Sequence, residues 1–400
     1  MLFQKTERVK LMHKDVAVLT GEYDSRRHEF RKVNELQRPD HLPTGVLLDG
    51  PDSVNLVSLN GWFQWRGIPK YRVDLGRLKE RLHISDEKEL LELEYGLSVS
   101  DHYWFADIDD TKSYAELNFF NRDFDQDGFG QAMFRTSRYE PKDTALHTPN
   151  NTLCGYHRKA WMRNEHGLCL YKGSTGFHQQ ECINEWLASV LADRLGLYCV
   201  PYDVLRYEGQ LVSVCPNFLN LDLELATASD AIAAMHEKLP DTVDSFLAAM
   251  EVHGIADARA SLEEMFLLDY LMLNTDRHGQ NAGILVDANT NRWISMAPIF
   301  DTGTGLGCFA KTSELETLGN QKNYRLFSQK HLSFESLLDR IQNWNRYDFS
   351  TLDDMPDLFR SVLLSYRSTT GISDERIEAL CSLLKSRIDR VKQYQLTKRV

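Results

Sequence analysis

The sequence predicts an α+β fold in which a β-rich part precedes a mainly helical one. Three observations carry this expectation. Between Lys159 and Cys215, two pairs of short apolar runs flank one run of helical spacing. From about Leu221 onward the apolar spacing turns helical. Ahead of both, short alternating and aromatic runs suggest strands, because period-two patterning buries one face of a sheet.

Taken in order, Val54–Leu59, Asp101–Phe105 and Leu117–Phe120 predict strands, with one helical stretch over Asp74–Leu93. This amino-terminal part reads as a mixed unit over residues 1–145, because the segment YEPKDTALHTPNN, 139–151, collects prolines and turn formers and few apolar residues. Residues 146–220 form the second unit. Lys159–Met162 and Gly167–Lys172 flank a turn at Asn164–Gly167, as a hairpin would. Gln179–Leu195 carries Ile183, Leu187, Leu191 and Leu195 along one helical face and ends before Gly196, a residue suited to closing a helix. Strands Tyr202–Tyr207 and Gln210–Cys215 follow, turning at Glu208 and Gly209. Residues 221–400 read as the helical unit. Ser261-Leu-Glu-Glu264 matches a capping box before Met265–Leu273, a run apolar almost all round and therefore buried. Asp269 is a lone carboxylate in that run and must find partners, which reads as an anchoring role. Next come the polar loop NTDRHGQN, a strand Gly283–Val286, the turn DANTN, a strand Trp293–Phe300, and DTG. The tail predicts a helix with Ile377, Leu380, Leu384, Ile388 and Val391 on one face and Ser373 as its N-cap.

Composition bounds the function classes. A chain of 400 residues with 42% hydrophobic and 10% aromatic side chains is globular and has more than one core. Forty-six basic against 58 acidic residues leave a formal charge of −12, the wrong sign for gripping a phosphate backbone, so no direct nucleic-acid binding is expected. The seven cysteines are odd in number and scattered, with no CxxC, and read as reduced core thiols rather than a disulfide framework. No run reaches the roughly 18 apolar residues of a membrane helix, and the first residues carry no signal-like run; the expectation is a cytoplasmic protein without membrane contact.

Some motifs fail on inspection. Asp123, Asp125, Asp127 and Gly128 imitate half an EF-hand loop, but its twelfth position is Phe134 where a bidentate glutamate is needed. GTGLG at Gly303–Gly307 lacks the third glycine of a dinucleotide fingerprint, since Cys308 stands there. No GxxxxGK[ST], GxSxG or HExxH occurs. One constellation survives: Asn274-Thr-Asp-Arg-His-Gly-Gln-Asn281, then Ala297-Pro-Ile-Phe-Asp301-Thr-Gly303 after two strands. Phosphoryl transfer from ATP needs a carboxylate to orient the attacking hydroxyl and oxygen ligands for magnesium on the phosphates. Asp276 and Asn281 have the Asp-to-Asn spacing of a kinase catalytic loop, and Asp301 stands where a magnesium-binding DFG would. Upstream, Lys172 ends a strand and the next helix offers Glu185 to hold it; Glu181, one turn earlier on the same face, is the rival partner, and Glu185 is favoured through its Asn-Glu context. Thr152-Leu-Cys-Gly155-Tyr-His-Arg-Lys159 occupies the phosphate-loop position, and Cys215-Pro-Asn217-Phe218 that of a hinge toward adenine. His278 either touches a phosphate or holds its own loop, and the second role is favoured.

On these residues the chain from about 150 to 400 resembles the HipA-like serine/threonine kinase family. The resemblance rests on NTDRHGQN, APIFDTG, LYKG at Lys172, INEWLASVLADRLGL around Glu185, and TLCGYHRK. GLSVSDHYWF and AELNFFNRDF also resemble the leading domain of some such proteins. It implies a two-lobed protein-kinase-like fold, with a small β-rich lobe and a large helical lobe behind an N-terminal accessory domain. ATP and Mg2+ are the implied cofactors. Asp276 would be catalytic, Asn281 and Asp301 would hold magnesium, and Lys172 would contact the phosphates. Thr152 would be the site of autophosphorylation. A protein substrate and an antitoxin partner, as in toxin–antitoxin systems, are implied as well. Two departures stand: Gln280 replaces a lysine common before the asparagine, and DRHGQN is closer to the DRHxxN of phosphoinositide-kinase-like enzymes. The rival readings are therefore a lipid or small-molecule kinase and a nucleotide-binding pseudokinase acting as a regulatory module.

Overall fold

The computed structural model describes residues 6–124, 130, 133, 134, 147–235, 239–320 and 324–398. Contacts gather the chain into two units, one of Met1–Tyr171, Asn217–Pro240 and Gly283–Ile294, the other of Lys172–Pro216, Asp241–Ala282 and Ser295–Val400. The architecture is mixed α and β, with several small sheets. The EF-hand-like Asp125, Asp127 and Gly128, and residues 139–146 of the expected boundary segment, lie outside the described residues.

In the first unit the strands order as Glu29–Leu36, Val16–Asp24, Thr6–His13 and Tyr103–Asp107, all antiparallel. Alternation on Thr6–His13 sends Val9 and Leu11 into the core. There Tyr23, Phe30, Phe63 and Phe105 pack edge to face, Phe63 and Phe105 with ring centroids 4.5 Å apart. Phe63 comes from the helix Leu56–Trp65, which corrects the strand expected over Val54–Leu59. Only Ser53–Val54 is extended, because the Asn55 side chain accepts from the Ser58 N–H at 2.8 Å and opens a helix that buries Leu59 and Phe63 together. The helix expected over Asp74–Leu93 is two, Leu75–Leu82 and Lys88–Leu93, since His83 turns left-handed at φ 55°. Leu117–Phe120 is no strand: the helix Tyr114–Leu117 ends there, opened by a Ser113–Glu116 capping box. The hairpin Lys159–Asn164 and Gly167–Gly173 stands, and its second strand runs on into the other unit at Lys172.

A strand appears where a helix was expected after Leu221. Leu223–Thr227 pairs antiparallel with Gly283–Asp287, Leu225 opposite Leu285, and the helix Ala228–Ala233 starts only at the Thr227–Asp230 capping box. Local propensity here yields to a partner strand far away in sequence.

In the second unit the helix Gln180–Leu195 buries Leu187, Ala188 and Leu191 and closes on Gly196 at φ 66°. The hairpin Asp203–Tyr207 and Gln210–Pro216 turns through Glu208 and Gly209, both left-handed, as two-residue hairpins prefer. The helix Ala258–Met272 starts earlier than Ser261, whose N–H already donates to Asp257 O at 2.9 Å, and every residue from Leu262 to Met272 is buried. The expected strand Trp293–Phe300 stops at Met296; Pro298 has no N–H to continue a ladder, and Ile299 instead bridges to Cys199. The tail helix Asp374–Lys398 buries Leu380, Leu384 and Val391, with Ser373 Oγ accepting from the Arg376 N–H at 3.2 Å.

Candidate active site

The loop Asn274–Asn281 leaves the buried helix through Leu273, held left-handed at φ 48°. Its keystone is Arg277, which is fully buried. Its Nε and Nη2 donate to Asp269 Oδ2 and Oδ1 at 2.9 and 2.8 Å, a planar two-point pairing. Asp269 also accepts from Asn274 Nδ2 at 2.8 Å and Tyr324 Oη at 3.1 Å. The anchoring carboxylate therefore has four donors. Burial works against the guanidinium's charge, but Asp269 more than offsets it and raises the Arg277 pKa. The remaining nitrogen, Nη1, donates to Phe300 O at 2.9 Å and to Asn281 O. One side chain thus ties the backbone at Asn281 to the residue just before Asp301.

Around that keystone the acidic groups are set in place. The Asn281 Nδ2 donates to Asp276 O at 3.0 Å, and its own N–H to His278 O at 2.8 Å. Asp276 is partly exposed, with His278 Nε2 at 3.7 Å and Arg325 Nη1 at 3.9 Å from its carboxylate. His278 Nδ1 accepts from the Gln280 N–H at 3.2 Å, and burial lowers its pKa, so a neutral ring holds the loop. Asp301 sits left-handed at φ 58°, its N–H 3.4 Å from Tyr202 Oη.

Lys172 Nζ reaches Glu185 Oε1 at 2.5 Å and also Asp301 Oδ1. Burial disfavours the ammonium, but the Asp301 and Glu185 carboxylates prevail and raise its pKa, so Lys172 stays protonated. Ser213 Oγ donates to the other oxygen of Glu185. Glu181, the rival glutamate, is spent elsewhere: its Oε1 accepts the N–H groups of Thr175 and Gly176 at 2.8 and 2.7 Å. The Asn184 Nδ2 donates to Gly303 O and Gly305 O at 2.9 and 2.7 Å, binding the same helix to the segment after Asp301. The glycines of GTGLG serve this packing. A Cβ on Gly305 would lie 2.4 Å from Met272 O, and one on Gly303 3.0 Å from Glu181 O.

The second unit therefore brings together Lys172, Glu185, Asp276, His278, Asn281 and Asp301. Cys215 also lies in it, buried on the strand Gln210–Pro216. Thr152, Gly155, Lys159, Asn217 and Phe218 belong to the first unit. Thr152 is buried, its hydroxyl donating to Leu97 O at 2.7 Å and Pro149 O at 3.2 Å. Gly155 is left-handed at φ 117°, with Lys159 Nζ 2.3 Å from where a Cβ would stand. Asn217 uses its N–H on Leu168 O at 2.8 Å and its amide on Val99 O at 3.3 Å, and Phe218 is half-buried.

Three contributors escaped sequence reasoning: Ser213, Asn184 and Tyr324. Ser213 lies on the predicted second strand, where a polar residue inside an apolar run was the available signal. Tyr324 lies outside the motif, and only folding brings it to Asp269.

Asp301 and Asn281 fit a magnesium ion by donor type. Both offer hard oxygen, and the Asn281 amide nitrogen is committed to Asp276 O, which leaves its oxygen as the donor. Among the described residues no group of three or more His, Cys, Asp or Glu side chains is arranged to hold a metal unaided. A magnesium ion there would need phosphate oxygens or water to complete its shell.

No family model matches the sequence. The chain nonetheless resembles HipA-like serine/threonine kinases in both sequence and fold. Serine/threonine-protein kinase CtkA of Helicobacter pylori strain J99 is 25% identical over 195 residues, 46% of this chain and 59% of CtkA, so the match spans about three-fifths of that relative. The crystal structure of the H. pylori proinflammatory kinase CtkA superposes with a TM-score of 0.49 at 19% identity, over 63% of this chain and 96% of that one. HipA of Shewanella oneidensis MR-1, solved as a toxin–antitoxin complex with HipB and operator DNA, superposes with a TM-score of 0.55 at 14% identity. That likeness is one of fold, and it covers 98% of this chain and 99% of HipA.

Proposed function

We propose that this chain is an ATP- and magnesium-dependent HipA-like serine/threonine protein kinase. The observation that carries the reading is the convergence, in one unit, of protonated Lys172 on Glu185 and Asp301 with the Arg277-anchored loop of Asp276 and Asn281. In this reading Asp276 accepts a hydrogen bond from the acceptor hydroxyl and orients its oxygen for attack. Lys172 exchanges part of its contact with Asp301 for a phosphate oxygen of the donor, while Glu185 keeps it placed. Asn281 and Asp301 would hold magnesium, which supplies positive charge against the phosphate oxygens. Residues 1–145 act as an accessory domain, 146–220 as the small lobe with Thr152–Lys159 over the phosphates and Cys215–Phe218 at adenine, and 221–400 as the large helical lobe.

The acceptor is a protein hydroxyl, and the protein works in the cytoplasm. An antitoxin partner belongs to the same reading: HipA of S. oneidensis is found with HipB and operator DNA, and with a net charge of −12 any DNA contact here falls to the partner. Autophosphorylation at Thr152 requires the turn Pro149–Thr152 to open, because the hydroxyl is donated inward to Leu97 O.

The test is incubation of purified wild type and Asp276→Ala with γ-labelled ATP and magnesium, followed by phosphosite mapping. The expected result is label on protein with wild type alone. Binding of ATP without label on any protein would overturn the reading in favour of a lipid or small-molecule kinase or a pseudokinase, which lipid and metabolite acceptors then separate.

A further inference from the structure

Asp276 is faced by a cation that lies outside every motif. Arg325 Nη1 stands 3.9 Å from Asp276 Oδ1, while the other carboxylate oxygen faces His278 Nε2 at 3.7 Å. The backbone aims it there. In the short strand Tyr324–Leu326 the two flanking residues are fully buried, so alternation turns Arg325 outward. The strand is docked on the Asn274–Asn281 loop itself: Leu326 bridges to Arg277, Phe327 N–H donates to Arg277 O at 2.7 Å, and Tyr324 Oη donates to Asp269 Oδ2. Arg325 Nε then donates to Phe327 O at 2.9 Å, which fixes the plane of the guanidinium.

The far end of that guanidinium is uncommitted. The side chain is 40% exposed, and among the described residues neither Nη1 nor Nη2 has a hydrogen-bond partner. At 3.9 Å the contact with Asp276 is an ion pair without a hydrogen bond, of a kind that contributes little in solvent. The surrounding groups carry no second positive charge. Burial lowers the His278 pKa, so its ring is neutral near pH 7. Asp241 is a second carboxyl within range of the Arg325 charge, and its backbone O accepts from the Ser328 N–H at 3.0 Å. Without Arg325, an acceptor arriving at Asp276 would meet two carboxylates and a neutral ring, and a basic segment would suit it. With Arg325, a fork of N–H donors stands beside the oxygen that takes the acceptor hydroxyl. Such a fork matches the paired oxygens of a carboxylate.

We propose that Arg325 selects the acceptor: it pairs with an Asp or Glu side chain next to the serine or threonine whose hydroxyl meets Asp276. The inference rests on the kinase reading for the role of Asp276 and adds to it the charge class of the substrate. In the transfer itself the acceptor oxygen bonds to the γ-phosphorus, the bond to the β–γ bridging oxygen breaks, ADP leaves and the hydroxyl proton is released to water. Arg325 holds the acceptor and takes no part in that bond exchange.

The test is phosphorylation, with Mg-ATP, of a library of serine and threonine peptides random at the flanking positions, by the full chain as wild type, Arg325→Lys, Arg325→Gln and Arg325→Glu. The mapped products are compared for acidic against basic flanks. Wild type is expected to favour acidic flanks about tenfold, as one charge-assisted hydrogen bond does. Arg325→Gln is expected to remove the preference, Arg325→Glu to reverse it, and Arg325→Lys to keep part of it, since the charge remains without the fork. The preference is a ratio within each variant, so a misfolded fraction cancels. A wild-type preference for basic flanks, or the same ratio in wild type and Arg325→Glu, overturns the proposal and leaves the kinase reading standing. So does an equal fall for all peptides in Arg325→Gln, which would place the residue in phosphoryl transfer instead. If wild type labels no peptide, the kinase reading fails for peptide acceptors and the proposal falls with it.

Discussion

Arg277 is the residue on which the geometry of the Asn274–Asn281 loop turns, and its worth is measurable. Removing one partner of a buried ion pair leaves the other charge stranded, typically at about 3–5 kcal/mol. Arg277→Met is therefore expected to lose that much in urea unfolding, and Tyr324→Phe about 1 kcal/mol, because three other donors still satisfy Asp269. An Arg277→Met loss under about 1 kcal/mol would show that the pair does not hold the loop. Half of this network was legible: a carboxylate inside an apolar helical run had to be anchored. Which side chains come to it was not, since Tyr324 is distant in sequence. A second residue sets a pH dependence. His102 is buried with Nε2 3.1 Å from Asn220 O and Nδ1 beside the Tyr114 hydroxyl, and burial lowers its pKa. The unfolded chain then binds the proton more readily, so stability is full above the unfolded value of about 6.5 and declines as pH falls through the folded value. The urea midpoint should drop between pH 7 and pH 5, and less so in His102→Gln; equal slopes would sink this assignment.

Two glycines separate what a turn needs from what packing needs. Gly196 closes the helix Gln180–Leu195 at φ 66° with nothing within 4 Å, so Gly196→Ala pays only for the left-handed backbone, about 1 kcal/mol. In Gly305→Ala the new Cβ meets the Met272 carbonyl at 2.4 Å, and two backbone segments must part; a loss of about 3 kcal/mol is expected. Thermal melts of the two variants should rank them in that order, and the reverse order would mean that the 303–307 segment yields easily. The helix closure was readable because it is local. The packing of GTGLG was not, and the same distinction explains the misread elements. Val54–Leu59 alternates like a strand, yet Asn55 caps a helix; Leu223–Thr227 sits in helical surroundings, yet a partner strand at Gly283–Asp287 takes it.

At the scale of the whole molecule, the first unit is assembled from three separate stretches of chain, and one carboxylate shows how tightly they depend on each other. Glu224, buried, accepts from His13 Nε2 at 2.9 Å and from the His102 N–H at 2.7 Å, while Leu225 N–H donates to Ser100 O at 2.8 Å. A chain cut to 146–400 loses all of these partners and exposes the strand that held them. It is expected to melt at a lower temperature and to be cleaved by protease between Asn217 and Pro240; a melt equal to that of the full chain would show that these contacts carry no stability. By itself the sequence determined the local matters: the closure of one helix at Gly196 and the start of another at Ser373, the hairpins between Lys159 and Cys215, the spacing of Asp276 to Asn281, and a buried carboxylate in need of partners. These follow from side-chain period and turn chemistry over a few residues. Only the tertiary structure decided that Glu181 is spent on the Thr175 and Gly176 amides, that Ser213 holds the second oxygen of Glu185, and that Tyr324 completes the anchor on Asp269. Those choices depend on burial and on distance between residues far apart in the chain, which no local pattern encodes.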